Sequence, residues 1–128
     1  MQKAHRRGTA CEYIAAAHFA NQGWTIFWTP NGISPCDFIM RRKGITKGVQ
    51  VKSAAWHEKG RTRYLRASLR SRKAYVKSDF DFLVVVDPQS RLWSIPFGSL
   101  PDTALLYLEK ERDGDVDKYE WEQWLIKT

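Results

Sequence analysis

Residues 35–40 read Pro-Cys-Asp-Phe-Ile-Met and residues 48–53 read Gly-Val-Gln-Val-Lys-Ser, and these two segments decide the expected fold. Apolar residues follow Asp37 in the first segment and alternate with polar ones in the second, which is typical of short strands. The glycine-containing stretch between them predicts a turn. The sequence therefore predicts a hairpin that places Asp37, Gln50 and Lys52 together at one end of a sheet.

Gln50 and Lys52 lie two residues apart and should share one strand face, with Val49 and Val51 on the other. If that face meets Asp37, a carboxylate and an amide oxygen can hold Mg²⁺, for which Mn²⁺ is an expected substitute. The lysine would orient or deprotonate a water that attacks a phosphodiester. Two alternatives remain: an aspartate that caps its own turn, and a solvated polar face on an amphipathic strand.

The composition predicts one globular domain spanning residues 1–128, because 43% hydrophobic residues are enough to build a core. The formal net charge is +7, and most of the positive excess lies between residues 41 and 77, whereas the chain from residue 101 onward is mainly acidic. A basic face favours an anionic partner, although charge runs are also common on solvated surfaces. The cations expected to contact a DNA backbone are Arg61, Arg63, Arg66, Arg70, Arg72 and Lys73.

Helical spacing predicts a helix over residues 9–21, and the continuous apolar run at 80–86 predicts a strand buried on both faces. Residues 55–61 are polar and contain Gly60, which predicts a loop. The remaining expectations are a short basic helix over 70–77 and a helix over 103–111. Trp121, Trp124 and Leu125 are expected to make a packing or subunit contact.

Cysteine usage and the N-terminus favour a cytoplasmic protein. Cys11 and Cys36 are too few for a disulfide framework, and neither has a neighbour at zinc-ligand spacing. The N-terminus lacks the apolar run of a signal peptide, and no stretch approaches the roughly 20 apolar residues of a membrane span.

The order of these motifs resembles the PD-(D/E)xK nuclease superfamily, with Pro35-Cys36-Asp37 as the first motif and Gln50-Val51-Lys52 as the second. Gln50 stands where Asp or Glu is usual, a departure that resembles a branch of group I intron-encoded homing endonucleases. Gly8-x-x-x-Glu12 is similar to the start of the first helix in those enzymes and in archaeal Holliday-junction resolvases. The resemblance covers about residues 5–97 and leaves 98–128 as an extension.

The resemblance implies an α/β fold of the restriction-endonuclease type, with a mixed central sheet flanked by helices. It also implies a Mg²⁺-dependent DNA endonuclease in which Asp37, Gln50 and the Val51 backbone carbonyl bind metal. Glu12 would support that site, with a second metal or a positioned water as its target. The alternative for Glu12 is a capping box with Thr9.

The expected partner is double-stranded DNA, and a compact nuclease that cuts both strands is expected to be a homodimer or homotetramer. Within the resemblance, the Gln-x-Lys motif favours a site-specific homing endonuclease. Two alternatives stay open. One is a structure-selective nuclease resembling the Holliday-junction resolvases, and the other is a DNA-binding module whose nuclease fold has lost activity.

Overall fold

The structure of the protein, a computed structural model, describes residues 3–30, 34–69, 76 and 79–127, with the backbone alone for 3–5. Its elements in chain order are α1 (Lys3–Asn21), β1 (Thr25–Trp28), β2 (Phe38–Arg42), β3 (Ile45–Lys59), β4 (Thr62–Ser68), β5 (Phe82–Val86), β6 (Leu92–Pro96), β7 (Leu105–Arg112) and β8 (Asp115–Lys118). Short 3-10 turns lie at Phe97–Ser99 and Glu120–Trp124. No helix among these residues is long and apolar enough to cross a membrane.

The helix α1 begins six residues before the predicted start and ends where the sequence predicted. Its buried stripe includes Cys11, Ala15 and Phe19, four residues apart, as expected for a helix that packs one face on a sheet. Gly23 adopts a positive φ of 91°, and its N–H donates to the carbonyl of Ala20. Glycine suits this left-handed position after the helix, because a Cβ is disfavoured there.

A single mixed sheet organises the fold, and β3 is its central element. The first part of β3 pairs antiparallel with β2, its middle pairs parallel with β5, and its last part pairs antiparallel with β4. The strands β1, β6, β7 and β8 extend the sheet through antiparallel pairs. This architecture confirms the predicted α/β fold with a mixed central sheet, and α1 is the one α-helix among the described residues.

Two predicted elements were wrong. Residues 55–61 were predicted as a loop, but β3 continues to Lys59, because hydrogen bonding to β4 keeps this polar segment extended. Residues 103–111 were predicted as a helix, but most of them form β7, which pairs with β4. Partnering in a sheet overrides the helix propensity of Leu, Glu and Lys. The predicted basic helix over 70–77 lies almost entirely outside the described residues.

The sheet carries an apolar cluster on each face. The strand β5 contributes Val84 and Val86 to the cluster beneath α1, and Leu83 and Val85 to the opposite cluster. All four are fully buried, which confirms the prediction of a strand covered on both faces. The middle of β3 is therefore packed against an apolar cluster on both of its faces.

The C-terminal segment packs on the core. Trp121, Trp124 and Leu125 lie against the cluster on the face opposite α1. The N–H of Ile126 donates to the carbonyl of Leu92 (2.8 Å). The packing alternative for these aromatic residues is thereby confirmed, and β7 adds Leu106 to the same cluster.

A buried ion-pair network, composed of Asp87, Arg91 and Glu109, ties the β5–β6 turn to β7. The guanidinium of Arg91 donates to Oδ2 of Asp87 (2.7 Å) and to both carboxylate oxygens of Glu109 (2.8 and 3.0 Å). Asp87 is fully buried and Glu109 is 5% exposed. The backbone N–H groups of Gln89 and Arg91 satisfy the remaining oxygen of Asp87.

Candidate active site

Asp37, the first candidate residue, directly precedes β2 and lies beside the middle of β3. Its N–H donates to the carbonyl of Val49 (2.8 Å), and its Oδ2 accepts a hydrogen bond from the N–H of Val51 (2.6 Å). Both the N–H and the hydroxyl of Thr29 donate to the Asp37 carbonyl (3.3 and 3.0 Å). The carboxylate therefore binds across to β3, and the alternative that it caps its own turn is wrong. We call this junction of β2 and β3 the fork.

The second carboxylate oxygen of Asp37 accepts no hydrogen bond from the described residues. Burial raises the pKa of Asp37, while the Val51 hydrogen bond and the charge of Lys52 lower it. A half-buried carboxylate with one oxygen that no described residue contacts is suited to bind a cation.

Gln50 and Lys52 share the strand face that the sequence predicted. Both are half-buried, whereas Val49 and Val51 are buried against α1. The effect of the Lys52 charge on the pKa of Asp37 places its ammonium within electrostatic reach of that carboxylate. Gln50 makes no side-chain hydrogen bond within the described part of the chain, so its amide oxygen is available.

Glu12 reaches the fork from α1. Burial raises its pKa, and the negative charge of Asp37 raises it further, which indicates that the two carboxylates are neighbours. The capping-box alternative is wrong, because α1 begins at Lys3 and Thr9 therefore lies inside the helix. Glu12 has no ion-pair partner among the described residues, so packing of α1 on the sheet holds an uncompensated acid near Asp37.

The oxygen donors expected at the fork are of the chemical kind that Mg²⁺ accepts. The N–H of Val51 points toward Asp37, and the N–H and C=O of one strand residue face the same edge, so the Val51 carbonyl emerges there as well. Glu12 and Gln50 would add a carboxylate and an amide oxygen, and all are hard donors that magnesium accepts. The described residues contain no group of three or more His, Cys, Asp or Glu side chains that could hold a metal. This finding is consistent with a glutamine at position 50, because glutamine is not one of those four residue types.

The predicted DNA-contacting cations divide into three groups. Arg61 pairs with Asp113 (2.7 Å), and Arg63 forms two hydrogen bonds with Glu111 (3.0 and 2.8 Å). Arg66 has no hydrogen bond or ion pair within the described ranges. Glu111 on β7 and Asp113 in the turn after it thus neutralise part of the predicted basic face. The predictions for Arg70, Arg72 and Lys73 lie outside the described residues.

The structure also has a groove, lined mainly by residues of β3, β4 and β7, that was not predicted from the sequence. It has a volume of about 670 Å³. We call it the tyrosine groove, and its lining residues are Trp56, His57, Glu58, Lys59, Tyr64, Arg66, Tyr107 and Tyr119. His57, expected in a basic loop, is an exposed residue of β3 and lines this groove. Ser53 is exposed on the face opposite Lys52.

A structural comparison gives the class of fold. The solved structure of a bacterial homing endonuclease, I-Ssp6803I, matches this chain with a TM-score of 0.77. The match covers 98% of this chain and 88% of the other at 22% sequence identity. The two proteins therefore share a fold, and the sheet, α1 and the fork described above belong to that fold.

Sequence comparison gives the family. The chain is 31% identical over 88 residues to Protein 5.3 of Escherichia phage T7, and the match covers 67% of this chain and 75% of that protein. The chain belongs to the same family as this phage protein. No family model matches the sequence.

Proposed function

We propose that the protein is a Mg²⁺-dependent endonuclease that hydrolyses phosphodiester bonds in double-stranded DNA. The observation that carries the proposal is the convergence of Glu12, Asp37 and Lys52 at the fork, on a fold shared with a homing endonuclease. The arrangement also supports membership of the PD-(D/E)xK superfamily, in its Gln-x-Lys branch. By the same resemblance, the target is a specific DNA site.

The proposed chemistry assigns a separate task to each side chain. Asp37, Gln50 and the Val51 carbonyl would hold the metal, with Glu12 as an additional ligand or water-positioning group. The bound ion would polarise the scissile phosphate and stabilise charge that develops on it. Lys52, next to Asp37, would orient the attacking water and offset negative charge on the phosphate.

Two further proposals complete this function. The net charge of +7 supports binding to the DNA backbone, because phosphate contacts supply affinity that does not depend on sequence. Cleavage of both strands by one small domain supports a homodimer or homotetramer. Mn²⁺ is expected to replace Mg²⁺, since both accept oxygen ligands.

The test incubates the purified protein with a randomised duplex library and a four-way junction, in Mg²⁺ or in EDTA. Cutting of particular duplex sequences supports the homing proposal, and cutting of the junction alone supports a structure-selective nuclease. Asp37→Asn and Lys52→Met should each lower cleavage about 1000-fold or more, since metal binding and water activation are both lost.

The matched control is Asp113→Asn, an isosteric change at an exposed carboxylate that pairs with Arg61 far from the fork in sequence. It should cleave like the unaltered protein. DNA binding without cleavage in Mg²⁺ or Mn²⁺ would reject the enzyme and leave a DNA-binding module. Full activity of folded Asp37→Asn would reject the fork as the active site.

A further inference from the structure

The tyrosine groove presents three aromatic rings that are far apart in the sequence. The Tyr64 and Tyr107 ring centroids are 5.7 Å apart, and those of Tyr107 and Tyr119 are 6.4 Å apart. Each ring is half-buried and so keeps an exposed part. Their hydroxyl groups make no hydrogen bond within the described part of the chain. The rings thus form a continuous aromatic surface with polar tips.

The charge of the groove is suited to an anionic ligand. Arg66 and Lys59 line it and make no ion pair with any described residue, in contrast to Arg61 and Arg63 on the neighbouring turn and strand. The carboxylate in the lining, Glu58, lies opposite Arg63 in the β3–β4 register. Free cations beside exposed aromatic rings favour a ligand that has both phosphates and flat apolar surfaces.

Nucleic acid has both phosphates and flat bases. The exposed tyrosine rings favour a single strand over a duplex. Bases inside a duplex are stacked on one another and hide their faces, whereas unpaired bases can stack on tyrosine. Proteins that bind single strands combine a basic groove with aromatic side chains in this way.

The strand β3 carries both the fork and the groove. Lys52 and His57 are five residues apart on this strand, which corresponds to roughly 17 Å at the rise of an extended chain, and their side chains point to opposite faces of it. A stacked DNA strand covers this distance in about five nucleotides. A DNA strand that crosses the edge of β3 beside the fork therefore needs at least this length to reach both places.

We propose that the tyrosine groove binds a single-stranded stretch of DNA that continues from the duplex held at the fork. The inference rests on the proposed function for the duplex part of this substrate. It names a partly unpaired DNA, such as an overhang, as the preferred substrate class.

Binding is measured in EDTA, so that cleavage does not interfere, with a fluorescent blunt duplex and with the same duplex carrying a thymidine overhang of about eight nucleotides. The overhang of at least one polarity, 5′ or 3′, should tighten binding about 10-fold, the effect of one or two stacked bases. Overhangs shorter than about three nucleotides should give no gain, since they cannot span from fork to groove. Equal affinities for blunt and overhang duplexes would overturn the proposal.

Substitutions in the tyrosine groove test whether the overhang binds there. Tyr107→Ser should remove most of the overhang preference and leave blunt-duplex affinity within about 2-fold, because stacking in the groove is lost. Arg66→Ala should also remove most of the preference, because a phosphate contact in the groove is lost. Tyr107→Phe should retain the preference, since it keeps the ring. The charge-matched control is Arg41→Ala, an exposed arginine on β2, which should also retain it.

Thermal unfolding of each variant checks that it is folded. If Tyr107→Ser unfolds, Arg66→Ala decides the outcome. An overhang preference that survives in folded Arg66→Ala and Tyr107→Ser would overturn the proposal, and so would an equal loss of blunt-duplex affinity. A preference for overhangs without Mg²⁺-dependent cleavage would reject the proposed function and leave the groove, whereas cleavage without the preference would reject the groove alone.

Discussion

Two pairs of carboxylates in this protein are removed from water in different ways. Asp87 and Glu109 are buried, and both bind the guanidinium of Arg91. Glu12 and Asp37 are half-buried at the fork, and their pKa values are raised by burial, with the charge of Asp37 raising that of Glu12 further. Both network carboxylates share the charge of Arg91 through hydrogen bonds, whereas at the fork the Lys52 charge acts on Asp37 and no described cation pairs with Glu12. The network therefore stabilises the fold, while the fork is the place where we propose that a cation binds.

The comparison predicts the largest loss of stability for a change in the network. Arg91→Met would leave two buried carboxylates without their cation, and the free energy of unfolding should fall by about 3–5 kcal/mol. Urea denaturation at neutral pH measures this change. The control, Arg61→Ala, removes an exposed ion pair and should leave the unfolding curve nearly unchanged. Similar small effects of both variants would contradict the structural role of the network.

A second prediction concerns a variant that adds negative charge to the fork. Gln50→Glu would supply a third carboxylate, and the Mg²⁺ concentration for half-maximal cleavage should fall about 10-fold, since ligand charge tunes metal affinity. Without metal the variant should be less stable, because a further negative charge then lies beside Glu12 and Asp37. A metal titration of cleavage, paired with thermal unfolding in EDTA, measures both effects. An unchanged metal requirement would place Gln50 outside the metal site.

A smaller effect is expected when charge is removed from the fork. Glu12→Gln should raise Tm at neutral pH by no more than a few degrees while it lowers cleavage, which is the usual trade between stability and function. The raised pKa means that the folded state binds this proton more tightly than the unfolded state. The ionised form therefore destabilises the fold above that pKa, and the advantage of the variant should vanish as the pH falls through it.

Thermal unfolding between acidic and neutral pH checks this expectation, with Glu58→Gln, an exposed residue of β3, as control. The control should show no pH-dependent gain. A Glu12→Gln variant that is less stable at neutral pH would show instead that the carboxylate is compensated in the fold.

The hairpin and the face of Gln50 and Lys52 could be predicted from the sequence, because strand alternation is a local pattern. The approach of Glu12 to Asp37 depends on how α1 docks on the sheet, and only the family resemblance indicated it. The tyrosine groove could not be predicted, since the pairing of β4 with β7 brings Tyr64 and Tyr107 together across a long stretch of chain. The ion pair between Arg63 and Glu111 arises from the same pairing.

The central claim is that the fork is a divalent-cation site, and calorimetric titration of Mn²⁺ into the protein tests it most directly. The folded protein should bind Mn²⁺ saturably, Asp37→Asn should abolish that binding, and Asp113→Asn should leave it unchanged. Equal binding by the protein and by folded Asp37→Asn, or no binding by the unaltered protein, would contradict the claim.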